Sequence, residues 1–275
     1  MHASPLQGFS VEFSEHRKYA QGDDTRAIDW NVFARTDRLY IRKYNAETHL
    51  ECYLLVDASG SMGYVGGLNP IGVPTPQPAA KLMYAMHLAA ALGYLITHQQ
   101  DAVGLGIIAA EGLKEFLPAR SRRQHLVTLL GALAAVVPRG QTGLAQGIHQ
   151  AVAQIRHRGL IVVLSDLLTD QEAVLEALHH VRFRGHDLIV MHILDAAEVR
   201  FPFEGSLRLE DPETGESLVA DAATVRPRYV QAVQDWRTEL RDRLLAARAD
   251  YVALDTAMPF DKALVEFLMQ RARRS

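Results

Sequence analysis

The chain has 275 residues, enough to bury one large core, and its 48% hydrophobic and 22% charged residues are ordinary for a globular protein. A formal net charge of −3 gives no electrostatic case for a nucleic-acid partner. Cys52 is the only cysteine, which excludes an internal disulfide and a cysteine-built zinc site, and it is expected to pack as a small apolar residue.

The opening MHASPLQGFSVEF lacks a basic stretch followed by an apolar run, so no secretory leader and a cytoplasmic location are expected. Residues 1–48 contain HRKYAQGDDTRAIDWNVFARTDRLYIRKYN, rich in charge and aromatics, and read as an extension packed on one main domain at 49–275. Within it, Asp23, Asp24 and Asp29 lack the regular alternation of a calcium loop. The favoured reading is a clamp in which Arg26 and Arg35 pair with acids and Trp30 anchors in apolar surface.

The main domain opens on ECYLLVD (51–57), a short apolar run that suits a buried parallel strand. A Gly/Pro-rich loop, GYVGGLNPIGVPTPQP, precedes an apolar helix over 79–98, which is interrupted by His87 and too short to span a membrane. AVGLGIIAA and LKEFLP form a hairpin through Glu111 and Gly112, and RRQHLVTLLGALAAV is a helix stopped by Pro138. A helix over 144–156 leads to GLIVVLSD (159–166), a second apolar strand ending in an acid. A helix over 170–183, the strand DLIVMHIL, a polar hairpin in SLRLEDPETGESLVAD, a helix over 228–248, the strand YVALD and a helix over 261–273 complete the order. Strands interleaved with helices imply an α/β fold: a mainly parallel sheet, doubly wound, with helices on both faces. Among the histidines, His87 and His192 are expected in the core, and the adjacent His179 and His180 point apart.

LLVDASGSMGY (54–64) carries the chemistry. A turn needs the glycines, but not an acid followed by hydroxyls at alternate positions. In an open parallel sheet, ligands bind beyond the carboxyl ends of the strands. Asp57, Ser59 and Ser61 follow one such strand, Asp166 ends another, and PRGQTGLAQGI places Thr142 in a glycine-flanked loop between them. All five are oxygen donors, which favours Mg²⁺, Mn²⁺ or Ca²⁺ over zinc. The competing reading makes Asp57, Asp166 and Thr142 helix caps and the serines turn residues.

DASGS, the threonine of GQTGL and the aspartate of VLSDL, in that order, resemble the metal-ion-dependent adhesion site of von Willebrand factor A domains. That resemblance implies a six-stranded sheet of order 3-2-1-4-5-6 with one antiparallel edge strand. It also implies an open metal position that takes an Asp or Glu from a protein ligand. YAQGDDTRAIDWNVFARTDRLYIRKY, KLMYAMHLAAALGYLITHQQDAVGL and FDKALVEFLMQRAR look like the bacterial domain-of-unknown-function family 58. Many members of that family carry membrane helices and an upstream β-rich region, neither of which is visible here. It implies a partner among AAA+ ATPases of the MoxR type.

The function expected is therefore a non-enzymatic, cation-dependent protein-binding module, an adaptor or co-chaperone. The alternative is an Mg²⁺- or Mn²⁺-dependent hydrolase using a metal-bound water. Against enzymes, GSMG is not a nucleophile elbow and no Walker A sequence is present. Tyr64, Leu68 and Ile71, in the loop beside Ser61, are expected to meet the partner.

Overall fold

The structure is a computed structural model that describes residues 13–21, 23–44, 50–66, 81–210, 215–262 and 264–265. The chain divides into two units, Met1–His49 and Leu50–Arg274.

In the first unit, β1 (Phe13–Lys18) pairs antiparallel with β2 (Tyr40–Tyr44), and α1 (Trp30–Thr36) lies between them in the chain. The acids of GDDTRAIDW are engaged locally. Asp23 accepts an ion pair from Arg17 at 2.7 Å and the Ala20 amide at 2.8 Å. Asp24 accepts the Arg26 amide, and Asp29 caps α1 by accepting the amides of Asn31 and Val32. The expected clamp needs correcting on two points. Among the described residues the ion pair of this segment is Arg17 with Asp23 and involves neither Arg26 nor Arg35, and Trp30 is 60% exposed with its ring edge-to-face with Phe33.

The second unit runs β3 (Glu51–Asp57), α2 (Lys81–His98), β4 (Ala102–Ala109), β5 (Gly112–Arg120), α3 (Arg123–Ala134), α4 (Leu144–Gln154) and β6 (Leu160–Ser165). It continues through α5 (Gln171–Phe183), β7 (Asp187–Leu194), α6 (Ala196–Arg200), β8 (Ser206–Glu210), β9 (Ser217–Asp221), α7 (Ala222–Ala246) and β10 (Asp250–Asp255). Six strands form one sheet of order β10-β7-β6-β3-β4-β5, all parallel except β5 at the edge. Numbered by their order in the sheet-forming chain, this is the 3-2-1-4-5-6 arrangement that the resemblance implies. Strands β8 and β9 make a separate antiparallel pair.

Alternation along β3 assigns the two faces. Cys52, Leu54 and Val56 pack with Leu82, Leu88 and Leu92 of α2 and Leu129 and Leu133 of α3. Tyr53 and Leu55 face the other way, against Ile148 of α4, Val174 and Leu178 of α5 and Leu240 and Leu244 of α7. Both sides of the central strands are buried, so they read as unbroken apolar runs rather than alternating ones. Cys52 is fully buried in that core.

Three differences from the sequence reading have local causes. Helix α7 begins at Ala222, ahead of Pro227, because Asp221 caps it through the Thr224 amide and hydroxyl. A proline near the start removes one backbone bond from a 25-residue helix without ending it. The short α6 was not expected; Asp195 and Glu198 close it with a reciprocal capping box. His87 is exposed and stacks on Phe260, whereas His192 is fully buried and shares a 2.6 Å hydrogen bond with the Tyr251 hydroxyl. Of the expected final helix, residues 263 and 266–273 lie outside the described residues. No helix among the described residues is long and apolar enough to cross a membrane.

Candidate metal centre

The helix after β3 covers one face of the sheet and the helix after β6 covers the other, so their connections diverge at neighbouring strand ends. A crevice at such a switch point is where an open α/β sheet binds ligands. Asp57 ends β3, and Asp166 follows β6 by one residue.

Backbone contacts stitch two loops and the end of β4 together at this rim. The Ala58 amide donates to the Ile108 carbonyl at 2.8 Å, the Gly60 amide to the Gly140 carbonyl at 2.7 Å, and the Arg139 amide to the Ala58 carbonyl at 3.0 Å. Gly143 is required here: a β-carbon would meet backbone atoms of Ala109, Ala110 and Gly112 at 2.5–2.7 Å. These contacts carry Thr142 to Asp57.

Asp57 is the hub. It is 1% exposed, and its Oδ1 accepts the Ser59 amide at 3.0 Å. Its Oδ2 accepts the Ser165 hydroxyl at 2.7 Å, and the Thr142 hydroxyl lies 3.4 Å from both carboxylate oxygens. The Ser59 and Ser61 hydroxyls are 3.1 Å apart, and both side chains are buried. Asp166 is fully buried, with Oδ1 accepting the Leu168 amide at 3.1 Å. The structure thus brings Asp57, Ser59, Ser61 and Thr142 into one linked set, and joins Asp166 to it through the adjacent Ser165.

The capping alternatives do not describe this geometry. Helix α4 is capped at Gly143 with no side-chain bond, so Thr142 is not its cap. Helix α5 is capped by Asp170, so Asp166 is not its cap.

Sequence reasoning missed three residues. Ser165 accepts the Leu167 amide at 2.9 Å while donating to Asp57, which fixes that carboxylate. Lys81 has no exposed surface, and its ammonium donates to Asp166 Oδ2 at 2.8 Å and to Glu198 Oε1 at 2.7 Å. The other Glu198 oxygen accepts the Asp195 amide at 2.7 Å. Signals existed for all three: a serine beside the strand-end acid, a lone charge opening an apolar helix, and the D-A-A-E spacing of a capping box.

Tyr64 is half-buried, its ring centroid 5.7 Å from the Lys81 ammonium and within cation–π range. Leu68 and Ile71 lie outside the described residues.

Electrostatics distinguish the two acids. Burial and then the neighbouring Asp166 charge push the Asp57 carboxyl up to about 6, against the lowering effect of its Ser165 and Ser59 hydrogen bonds. Burial works against the Lys81 ammonium too, but the Asp166 and Glu198 carboxylates outweigh it and hold its pKa above the ordinary lysine value. Asp57 has no lysine or arginine at ion-pair distance among the described residues.

The donor set fits a hard divalent cation. Every side chain around Asp57 offers oxygen, and the hydroxyls of Ser59, Ser61 and Thr142 are neutral donors of the kind Mg²⁺ or Mn²⁺ accepts beside a carboxylate and water. Among the described residues, no group of three or more His, Cys, Asp or Glu gathers as a metal cage. A cation here would depend on hydroxyls.

Comparison with known proteins places the chain. Uncharacterized protein Rv1480 of Mycobacterium tuberculosis and uncharacterized protein Mb1516 of Mycobacterium bovis are each 29% identical over 277 residues, covering 99% of this chain and 83% of theirs. Among solved structures, the conserved hypothetical protein BatB from Bacteroides thetaiotaomicron superposes with a TM-score of 0.50 at 17% identity, over 82% of this chain and 99% of that one. The SpRpn10 VWA domain gives a TM-score of 0.44 at 12% identity, over 79% of this chain and 94% of its own. The fold, by its 3-2-1-4-5-6 strand order and single antiparallel edge strand, is von Willebrand factor A-like. A family described as "Protein of unknown function DUF58" matches residues 15–239, most of the chain, and this protein belongs to it.

Proposed function

We propose that the protein is a non-enzymatic adaptor that binds another protein through a divalent cation held at the sheet rim. The observation that carries this reading is Asp57: a buried carboxylate with no basic partner at hand among the described residues, surrounded by hydroxyls. Asp57, Ser59, Ser61 and Thr142 would hold the ion, with Asp166 in support, and the ion would supply a Lewis-acidic position for a partner's Asp or Glu.

The partner proposed is an AAA+ ATPase of the MoxR type in the cytoplasm, on the strength of the family resemblance. The hydrolase alternative gains no specific support, because among the described residues no side chain at the rim is placed as a general base: Asp57 and Asp166 are engaged by hydroxyls and by Lys81. Tagged protein mixed with a purified MoxR-type ATPase of the same cell, with Mg²⁺ or with chelator, tests the reading. Retention in Mg²⁺ that is lost in chelator and in Asp57→Ala is expected. Equal retention in all three would remove the cation from the mechanism.

A further inference from the structure

We infer that Lys81 is a tethered cation that competes for the rim, holding Asp166 and keeping the affinity for a divalent ion low. The inference rests on the cation-binding reading above and concerns how that site is tuned. Lysine is among the residues least often fully buried, and here the whole side chain is out of water. Its position is over-determined. Two carboxylates grip the ammonium, at 2.8 Å and 2.7 Å, and the ring of Tyr64 stands 5.7 Å away. Glu198 is itself fixed by the capping box of α6, so one of the two grips cannot easily drift.

The consequence is electrostatic. Asp166 gives one oxygen to the Leu168 amide and the other to Lys81, so an ion that draws on Asp166 must share it with a fixed positive charge. Like charges a few ångströms apart in a poorly solvated site repel strongly. Lys81 has no open route away from the rim, because water does not reach it. The rim therefore has two carboxylates of unequal standing: Asp57, without a basic partner at hand among the described residues, and Asp166, already neutralised. Removing the lysine charge should free Asp166 and tighten cation binding.

Lys81→Met alone would leave the partly buried Glu198 carboxylate without its cation, so the informative variant is Lys81→Met with Glu198→Gln, which removes one charge of each sign. The probe is Mn²⁺ alone, titrated against the full chain and followed by electron paramagnetic resonance of the free ion. The double variant is expected to bind Mn²⁺ at least about tenfold more tightly than wild type. Glu198→Gln alone, which keeps the ammonium, should bind no more tightly than wild type. Equal or weaker binding by a folded double variant would overturn the inference, as would equal tightening in Glu198→Gln alone. If the double variant does not fold, Lys81→Gln, which keeps a donor without the charge, is expected to show the same tightening, and unchanged affinity there counts against the idea. Asp57→Ala separates the two levels of the claim. Wild type and Asp57→Ala binding Mn²⁺ alike would contradict the cation site itself. Wild type binding better than Asp57→Ala, with no tightening in the lysine variants, would contradict only the role of Lys81.

Discussion

Asp57 decides the behaviour of the rim at the scale of single residues. Its carboxyl is pushed up to about 6 by burial and by Asp166, so in the metal-free protein ionisation of this group opposes folding. A carboxyl whose folded pKa lies above its unfolded value binds extra protons in the native state. Stability from this group therefore falls as pH rises through the window between the ordinary aspartate value and about 6. Burial of His125, His186 and His192 lowers their pKa values and gives the opposite slope, but that slope is common to wild type and variant. The expected result is relative: in chelator, Asp57→Asn gains thermal stability on wild type as pH rises from about 5 to about 7. A constant difference across that range would mean the carboxylate is compensated by a group the account has not identified. Ser165 gives a second test. Its hydroxyl bonds Asp57 and the Leu167 amide, so Ser165→Ala should cost about 1–3 kcal/mol in urea unfolding and weaken cation binding as well. A loss of stability with cation affinity intact would leave Ser165 a purely structural residue. The five oxygen donors were legible because their spacing follows strand ends. Lys81, Ser165 and Glu198 were not, because their roles depend on which side chains meet across 85 to 117 residues of chain.

Loops make the site at the scale of elements, and the 138–143 connection matters most. It is tied to the loop after β3 by the Gly60–Gly140 and Arg139–Ala58 backbone bonds, and it fits only because Gly143 lacks a side chain. Gly143→Ala should force backbone against backbone, costing about 1–3 kcal/mol and moving Thr142 away from Asp57. Thermal unfolding together with Mn²⁺ titration checks both parts; unchanged values would show that the loop yields freely. Gly66 offers a related constraint, since a β-carbon there would collide with Ala197 and the Asp195 carboxylate at the start of α6. Elements themselves were largely legible. β3 spans the run ECYLLVD, and the hairpin of β4 and β5 turns at Glu111 and Gly112, because long apolar runs and tight turns are locally encoded. The start of α7 was misplaced because a proline was read as a boundary while the cap at Asp221 went unread. The burial of His87 was misjudged because α2 is apolar almost all round, which hides which of its faces meets solvent.

The whole molecule places chemistry where its topology opens. Chain order sends α2 to one face of the sheet and α5 to the other, and the strands that precede them, β3 and β6, lie side by side. That arrangement brings the two strand-end acids together without a dedicated binding loop; alternation of strands and helices made the parallel sheet with two covered faces readable, and the strand order came from the family resemblance. The central claim, a divalent-cation site built on Asp57, Ser59, Ser61, Thr142 and Asp166, is tested most directly by calorimetric titration of the full chain with Mg²⁺ and Mn²⁺. The account predicts saturable heats for wild type and their loss in Asp57→Ala. Equal heats from the two proteins would contradict it.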